Sequence, residues 1–300
     1  MFHARKKVKS IPRLLIGTSG FSYPHWKGVF YPPHLPSKQW FSFYQKHFNS
    51  VEINLTFYRS PSPNLLKRWY EQSPQGFFFT LKASRVITHL RRLRNCQREM
   101  RIMLKQFAEL GEKLACILFQ LPPGLKKDLK LLKKFLLTLP ISPQTGRAKL
   151  SREATPLIAF EFRHHSWYAL PVFELLTQKG ATVVIHDMPR RGEWKAMQQK
   201  GEAKILPLRS QINFDFRALP FQYYRFHGNT GKQAWGKYST QKLQRWAKAI
   251  KKFNRNKIKF IYFNNDANGY AVADALKIAH LLNTPSRAVK RPLAKNNIVV

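Results

Sequence analysis

Three hundred residues fit a single α/β domain without requiring a division, since barrels of eight strand–helix units occupy about 250 residues. With 44% hydrophobic and 14% aromatic residues and only 14 glycines, the chain is excluded from the disordered, collagen-like and low-complexity classes. Its 53 Lys+Arg against 15 Asp+Glu leave a formal charge of +38, a field that gathers polyanions but carries no information about fold.

Residues 1–13 read as a basic extension carrying Arg5, Lys6, Lys7 and Lys9. The apolar run that follows, Leu14-Leu15-Ile16, is too short for a signal peptide, and no stretch approaches the length of a membrane span. Short β-rich runs then recur at Leu14–Thr18, Val51–Phe57, Phe77–Lys82, Ala115–Gln120, Leu157–Phe162, Thr182–His186, Tyr223–His227 and Ile258–Phe263. Between them lie segments with apolar residues at helical spacing. These are Trp40, Phe43, Tyr44, His47 and Phe48; Met100, Met103, Leu104, Phe107 and Leu110; Leu129, Leu132, Phe135 and Leu136; Leu243, Trp246, Ala247 and Ile250; and Ala273, Leu276, Ile278 and Leu281. Pro140–Pro156 reads as a loop, Pro189–Pro220 as a long mixed segment with a sixth helix at Glu193–Gln199, and residues 284–300 as a basic tail.

Strands apolar nearly throughout, alternating with amphipathic helices, predict a parallel sheet covered on its outer face. Eight such units predict closure into a TIM-like (β/α)8 barrel, one domain over residues 14–283. The open doubly wound sheet is the alternative, but Gly17-Thr18-Ser19-Gly20-Phe21 lacks the spacing of a dinucleotide-binding turn. Cys96 and Cys116 stand alone, without C-x-x-C spacing, and are expected to be reduced thiols of a cytoplasmic protein. On the same reading Asn54-Leu55-Thr56 is a glycosylation-like triplet without the compartment for it.

In a barrel the functional groups belong at the carboxyl ends of the strands. There the sequence places Ser19; Glu52 and Asn54, running into Tyr58; Lys82, with His89 after it; Gln120; Glu161 and Arg163, followed by Trp167; His186 and Asp187; Arg225 and His227; and Asn265 and Asp266. Period-two alternation puts Arg225 and His227 on one face around Phe226, as it does Glu161 and Arg163, and Glu52 and Asn54. Carboxylates are scarce here, and buried ones must be paired. Two readings follow: a salt-bridge layer plugging the barrel mouth, or a pocket in which Lys82, Arg163 and Arg225 clamp an anion. In the second, Glu161 or Asp187 serves as general base and His227 as proton donor or orienter. Glu161, His186, Asp187, His227 and Asp266 include metal-ligand types, yet no spacing such as H-E-x-x-H supports a metal, and no cofactor is indicated.

Phe21, Tyr23, Trp26, Phe30 and Tyr31 in the first loop could stack on a ring or pack on each other as a lid. The basic groups Arg85 to Arg101, Lys126 to Lys134 and Arg245 to Lys259 read as solvated faces, and the first lies on the catalytic side, where it would draw in a polyanion.

These motifs together resemble the family of domain-of-unknown-function 72 proteins, also called YecE-like. The matching stretches are Gly17-Thr18-Ser19-Gly20-Phe21-Ser22-Tyr23, Trp26-Lys27-Gly28-Val29-Phe30-Tyr31-Pro32, His47-Phe48-Asn49-Ser50-Val51-Glu52-Ile53-Asn54 and Thr56-Phe57-Tyr58. Further on they are Leu81-Lys82-Ala83-Ser84, Ile87-Thr88-His89, Leu118-Phe119-Gln120-Leu121-Pro122-Pro123, Glu161-Phe162-Arg163, Arg225-Phe226-His227-Gly228 and Tyr262-Phe263-Asn264-Asn265-Asp266. The resemblance implies a TIM-barrel-like fold and no established activity. His165 stands where such proteins often carry a proline, which frees φ and restores an N–H in that loop.

The expectation for function is an enzyme or binder of a phosphate- or carboxylate-bearing small molecule at the strand-end face. Hydrolysis or isomerisation is suggested by fold analogy alone. The alternative is a nucleic-acid-binding protein whose basic outer faces act without catalysis.

Overall fold

The structure is a computed structural model and describes residues 11–141, 156–187, 215–228, 236–253 and 256–282. The expected helix at Glu193–Gln199, most of the Pro140–Pro156 loop, nearly all of the basic extension and the basic tail lie outside the described residues. Eight parallel strands form one sheet: β1 (Leu14–Thr18), β2 (Ser50–Ile53), β3 (Phe78–Lys82), β4 (Leu114–Gln120), β5 (Leu157–Glu161), β6 (Thr182–His186), β7 (Gln222–Phe226) and β8 (Lys259–Phe263). Their order is β1-β8-β7-β6-β5-β4-β3-β2. Consecutive strands are neighbours throughout, and β1 returns to β8, so the predicted (β/α)8 barrel is present.

The barrel is nearly closed, and its seam between β1 and β2 is bridged largely by side chains. Asn49 accepts from the Ile16 N–H (2.9 Å) and donates to the Leu14 carbonyl (2.8 Å), standing in for a strand partner. The Tyr44 hydroxyl accepts from the Thr18 N–H (2.9 Å) and donates to the Ser50 carbonyl (3.1 Å). One short bridge, Ser19 with Glu52, completes the seam. Gly17 is required there because a Cβ would sit 2.0 Å from the Ser50 oxygen and 2.7 Å from the Tyr44 hydroxyl.

Alternation along each strand produces two cores. Outward residues such as Val51, Phe79, Ile117, Phe160, Val183, Tyr224 and Ile261 meet the surrounding helices. Inward residues Leu15, Phe78, Cys116, Leu118, Leu157, Ala159, Val184, Tyr223, Phe260 and Tyr262 fill the barrel. The inward series carries hydroxyls in its middle layer, at Ser50 and Thr80, and becomes charged towards the carboxyl ends, where the barrel opens to water.

The five predicted helical faces fall mainly on helices, observed at Trp40–Tyr44, Gln97–Phe107, Leu129–Leu136, Thr240–Lys252 and Tyr270–Leu281; His47 and Phe48 lie beyond the first, and Leu110 falls in the tighter helical segment Ala108–Lys113 after the second. Helices at Pro63–Gln72 and Leu170–Gln178 were not anticipated. The first carried a readable start signal: Ser62 accepts from the Leu65 N–H, with Pro63 at the first helical position. The second strand stops earlier than expected. Asn54 adopts helical φ and ψ, and Leu55–Tyr58 forms one helical turn in place of the predicted extension to Phe57. Thr56 anchors that turn by donating to the Lys82 carbonyl (2.6 Å), a tertiary contact invisible to local propensity.

Candidate functional site

The polar end of the barrel rises from its middle layer. Tyr262 contacts the hydroxyls of Ser50 (2.5 Å) and Thr80 (3.0 Å), while Tyr223 donates to Glu52 (2.5 Å). Glu52 also accepts from Ser19 (2.5 Å) and from Arg225, whose Nε lies 3.0 Å from both carboxylate oxygens and whose Nη2 lies 2.7 Å from Oε1. The remaining Arg225 nitrogen, Nη1, donates to Glu161 Oε2 (2.7 Å), and Glu161 Oε1 pairs with Arg163. Glu52, Glu161 and Arg225 are completely or almost completely buried. Two carboxylates and two guanidiniums therefore alternate across strands β2, β7 and β5, and their charges cancel.

Burial alone would raise the Glu161 carboxyl, but the Arg163 and Arg225 guanidiniums, with His227, outweigh it and hold it well below the usual range. The histidines respond in the other direction. Burial lowers His227 to about 3 against the pull of Glu161, and lowers His186 to about 4. His227 Nδ1 accepts from Asn264 (3.2 Å), which leaves the Nε2 proton towards Glu161 Oε1 at 3.7 Å. Both rings are uncharged at neutral pH.

Above this layer lies a cleft of about 840 Å³ lined by Tyr23, His25, Asn54, Phe57, Tyr58, Lys82, Arg85, His89, Gln120, Arg163, Arg225, Asn264, Asp266 and Ala267. It opens at the carboxyl ends of the strands. Lys82 is 7% exposed and its ammonium nitrogen sits 4.0 Å from the centre of the Phe57 ring. Burial, then the neighbouring Arg225 charge, brings Lys82 down to about 7; Glu161 and Glu52 oppose the shift and Arg163 adds to it. His89 falls to about 4, through burial and the charges of Lys82, Arg85 and Arg163. It stands in a π-helical turn, Val86–Leu90, followed by left-handed φ values at Arg92, Leu93 and Asn95, irregular backbone of the kind that often accompanies functional loops. Asp266 accepts from the Trp26 indole (2.6 Å), and burial raises its carboxyl to about 6 against that bond and the nearby His25.

Of the residues singled out in the sequence, Asn54, Tyr58, Lys82, His89, Gln120, Arg163, Arg225 and Asp266 share the cleft. Ser19, Glu52, Glu161 and His227 lie directly beneath it as the supporting network. Four lie elsewhere. His186 Nε2 contacts the Tyr168 hydroxyl (2.6 Å). Asp187 accepts from the His227 N–H (2.8 Å) and from the Tyr238 hydroxyl, tying down the end of β7. Trp167 is buried, stacked on Phe162 and donating to the Leu125 carbonyl (2.7 Å). Asn265 is buried and donates to Asp274 (2.7 Å) and the Gly236 carbonyl (3.0 Å).

Asn264, at the same strand end as Asn265, also lines the cleft, since alternation from Phe260 and Tyr262 points it inward and Asn265 outward. His25 had no such signal, and enters only because Trp26 anchors its turn against Asp266. The first-loop aromatics mostly pack on one another: Trp26, Phe30 and Tyr31 are buried, with Tyr31 stacked on Trp40. Where a proline was expected, His165 opens a single turn, His165–Trp167, capped by His164 accepting from the Ser166 N–H.

A nearly closed parallel barrel with a polar cleft at its carboxyl end defines the class, a (β/α)8-like protein. The family described as "Protein of unknown function DUF72" matches residues 15–297, and the chain belongs to it. It is 25% identical over 289 residues to the UPF0759 protein YunF of Bacillus subtilis, covering 84% of this chain and 90% of that protein. It is 35% identical over 98 residues to the UPF0759 protein YecE of Escherichia coli K12, covering 32% of this chain and 36% of that one. Among solved structures, a DUF72 family protein from Thermotoga maritima superposes with a TM-score of 0.70 at 26% identity, covering 91% of this chain and all of that one. A DUF72 family protein from Enterococcus faecalis shares the fold, with a TM-score of 0.64 at 20% identity. No described helix is long and apolar enough to cross a membrane. Among the described residues, no three His, Cys, Asp or Glu side chains are grouped to hold a metal ion.

Proposed function

We propose that the cleft binds, and acts upon, a small molecule bearing a phosphate or carboxylate. The observation that carries this reading is the charge distribution around it. Arg163 and Arg225 are already balanced by Glu161 and Glu52 beneath them, so among the described residues Arg85, and Lys82 when protonated, are the further cations facing the cleft, with Asp266 as a carboxylate. Arginines held rigidly by buried carboxylates present their outer edges as preorganised anion donors. In this reading Glu161 and Glu52 position the arginines, and neutral His227 orients Glu161. Proton transfer falls to groups that titrate near neutrality, Lys82 and Asp266.

Thermal unfolding in the presence of inorganic phosphate, citrate, sugar phosphates and short oligonucleotides tests it. A small anion at about 100 times its Kd stabilises the native state by about 2.7 kcal/mol, and Arg163→Met should abolish that rise in midpoint. Midpoint shifts from oligonucleotides alone, erased by salt and indifferent to Arg163→Met, would replace this reading with a nucleic-acid binder acting through its basic faces.

A further inference from the structure

Lys82 has a property that anion binding does not require. It ends β3 inside the barrel mouth, almost fully enclosed, and no oxygen or nitrogen among the described residues accepts a hydrogen bond from its amine. The backbone beneath it is fixed, because the Lys82 carbonyl accepts from Thr56, and its nitrogen is held against the Phe57 ring. A lysine serving only as a counter-charge gains by facing carboxylates. Here Glu52 and Glu161 are instead engaged by Arg225 and Arg163, and Lys82 is packed beside those cations. Such an environment favours the uncharged amine, the nucleophilic form, and the side chain emerges into a cleft whose guanidiniums can seat an anion.

We propose that Lys82 forms an imine with the carbonyl carbon of an aldehyde or ketone that also carries a carboxylate or phosphate. This rests on the anion-binding reading of the cleft and names its substrate class. The amine lone pair adds to the carbonyl carbon, and a proton moves to the carbonyl oxygen to give a carbinolamine. That oxygen then leaves as water, taking with it both hydrogens of the amine, and a carbon–nitrogen double bond remains. No oxidant or reductant is needed. Asp266, which lines the same cleft with a carboxyl raised to about 6, is suited to exchange the protons. The protonated imine then withdraws electrons from the adjacent carbon, the usual reason for using a lysine in this way.

The test uses the full chain at pH 7 with glyoxylate or glyceraldehyde 3-phosphate and cyanoborohydride, which reduces an imine to a stable secondary amine, followed by peptide mapping. Lys82 should be alkylated at least about tenfold faster than the surface lysines, which are almost entirely protonated at that pH. Excess inorganic phosphate should slow the labelling of Lys82 and leave the others unchanged. Formaldehyde, a carbonyl compound with no anionic group, should lose most of the preference. Labelling of Lys82 no faster than that of exposed lysines would overturn the imine. Lys82→Arg keeps the charge and cannot form the adduct, so its mapped peptide provides the blank if the variant folds; the wild-type comparison stands without it. The phosphate-induced rise in midpoint is measured on the same preparation. Its persistence without selective labelling removes the imine and keeps the anion site, whereas loss of both removes the cleft reading as well.

Discussion

Arg225 holds together the two buried carboxylates under the cleft, so Arg225→Met is the most informative perturbation of this site. Methionine keeps most of the aliphatic volume and removes the guanidinium, with its contacts to Glu52 at 2.7 and 3.0 Å and to Glu161 at 2.7 Å. Both carboxylates are fully buried, so water cannot replace the lost donors. Removing one partner of a buried pair costs about 3–5 kcal/mol, against about 0–1 kcal/mol for an exposed pair. At about 2–4 °C per kcal/mol for a chain approaching this size, the midpoint should fall by roughly 6–20 °C. Urea unfolding followed by the fluorescence of the 7 tryptophans reads the change directly, as a lower denaturation midpoint with unchanged slope. The pH dependence adds a second check. Glu161 is depressed in the folded state, so its stabilisation is present above the unfolded glutamate value of about 4.3 and lost as pH falls below it. With one of its two guanidinium partners gone, that acid-side loss should become shallower. A loss under about 1 kcal/mol for Arg225→Met would mean that the network is solvated, and would refute the buried layer as the frame of the site.

Lys82→Met should be more stable than the parent at pH 7, by on the order of 3 kcal/mol, because the folded state depresses this amine to about 7 and binds fewer protons than the unfolded chain. The advantage should shrink as pH rises from 7 towards about 10.4, the unfolded lysine value; a destabilised variant at pH 7 would contradict the placement of the amine. Asp266→Asn tests the opposite sign. The raised carboxyl gives stability that is complete below about pH 3.9 and is lost as pH rises through 6, so the asparagine variant should match the parent near pH 4 and exceed it above pH 7 by about 1–2 kcal/mol, solvent at this partly exposed group screening the rest. At the seam, Tyr44→Phe leaves the Thr18 N–H and the Ser50 carbonyl without their partner and should cost about 1–3 kcal/mol. Faster amide exchange at Thr18 should accompany that loss, and unchanged exchange would argue against the side-chain bridge. Gly17→Ala should destabilise at least as strongly, while Gly124→Ala, where an added Cβ meets nothing within 4 Å, should stay within about 0.5 kcal/mol of the parent.

The barrel was legible in the residues because local chemistry repeats. Eight apolar runs of strand length, separated by segments with helical spacing, leave a parallel sheet as the way to bury both faces, and all eight appear within a few residues of their expected positions. Alternation also placed Glu52, Lys82, Glu161, Arg163 and Arg225 at one end, since inward and outward directions follow from the period-two geometry of a strand. Which of these groups faces a ligand and which supports from below depends on contacts between strands far apart in the chain. Glu161 and Arg225 are 64 residues apart, and Glu52 and Arg225 are 173 apart; only closure of the barrel brings them into one layer. The same closure leaves Lys82 without a carboxylate partner among the described residues, turns Asp187, Trp167 and Asn265 towards structural partners, and moves Asn264 and His25 into the cleft. A strand's own sequence sets the direction of its side chains, but the field acting on an ionisable group is set by its neighbours in space. The chemistry of this site was therefore decided by the tertiary structure, on a scaffold that the pattern of residues had already specified.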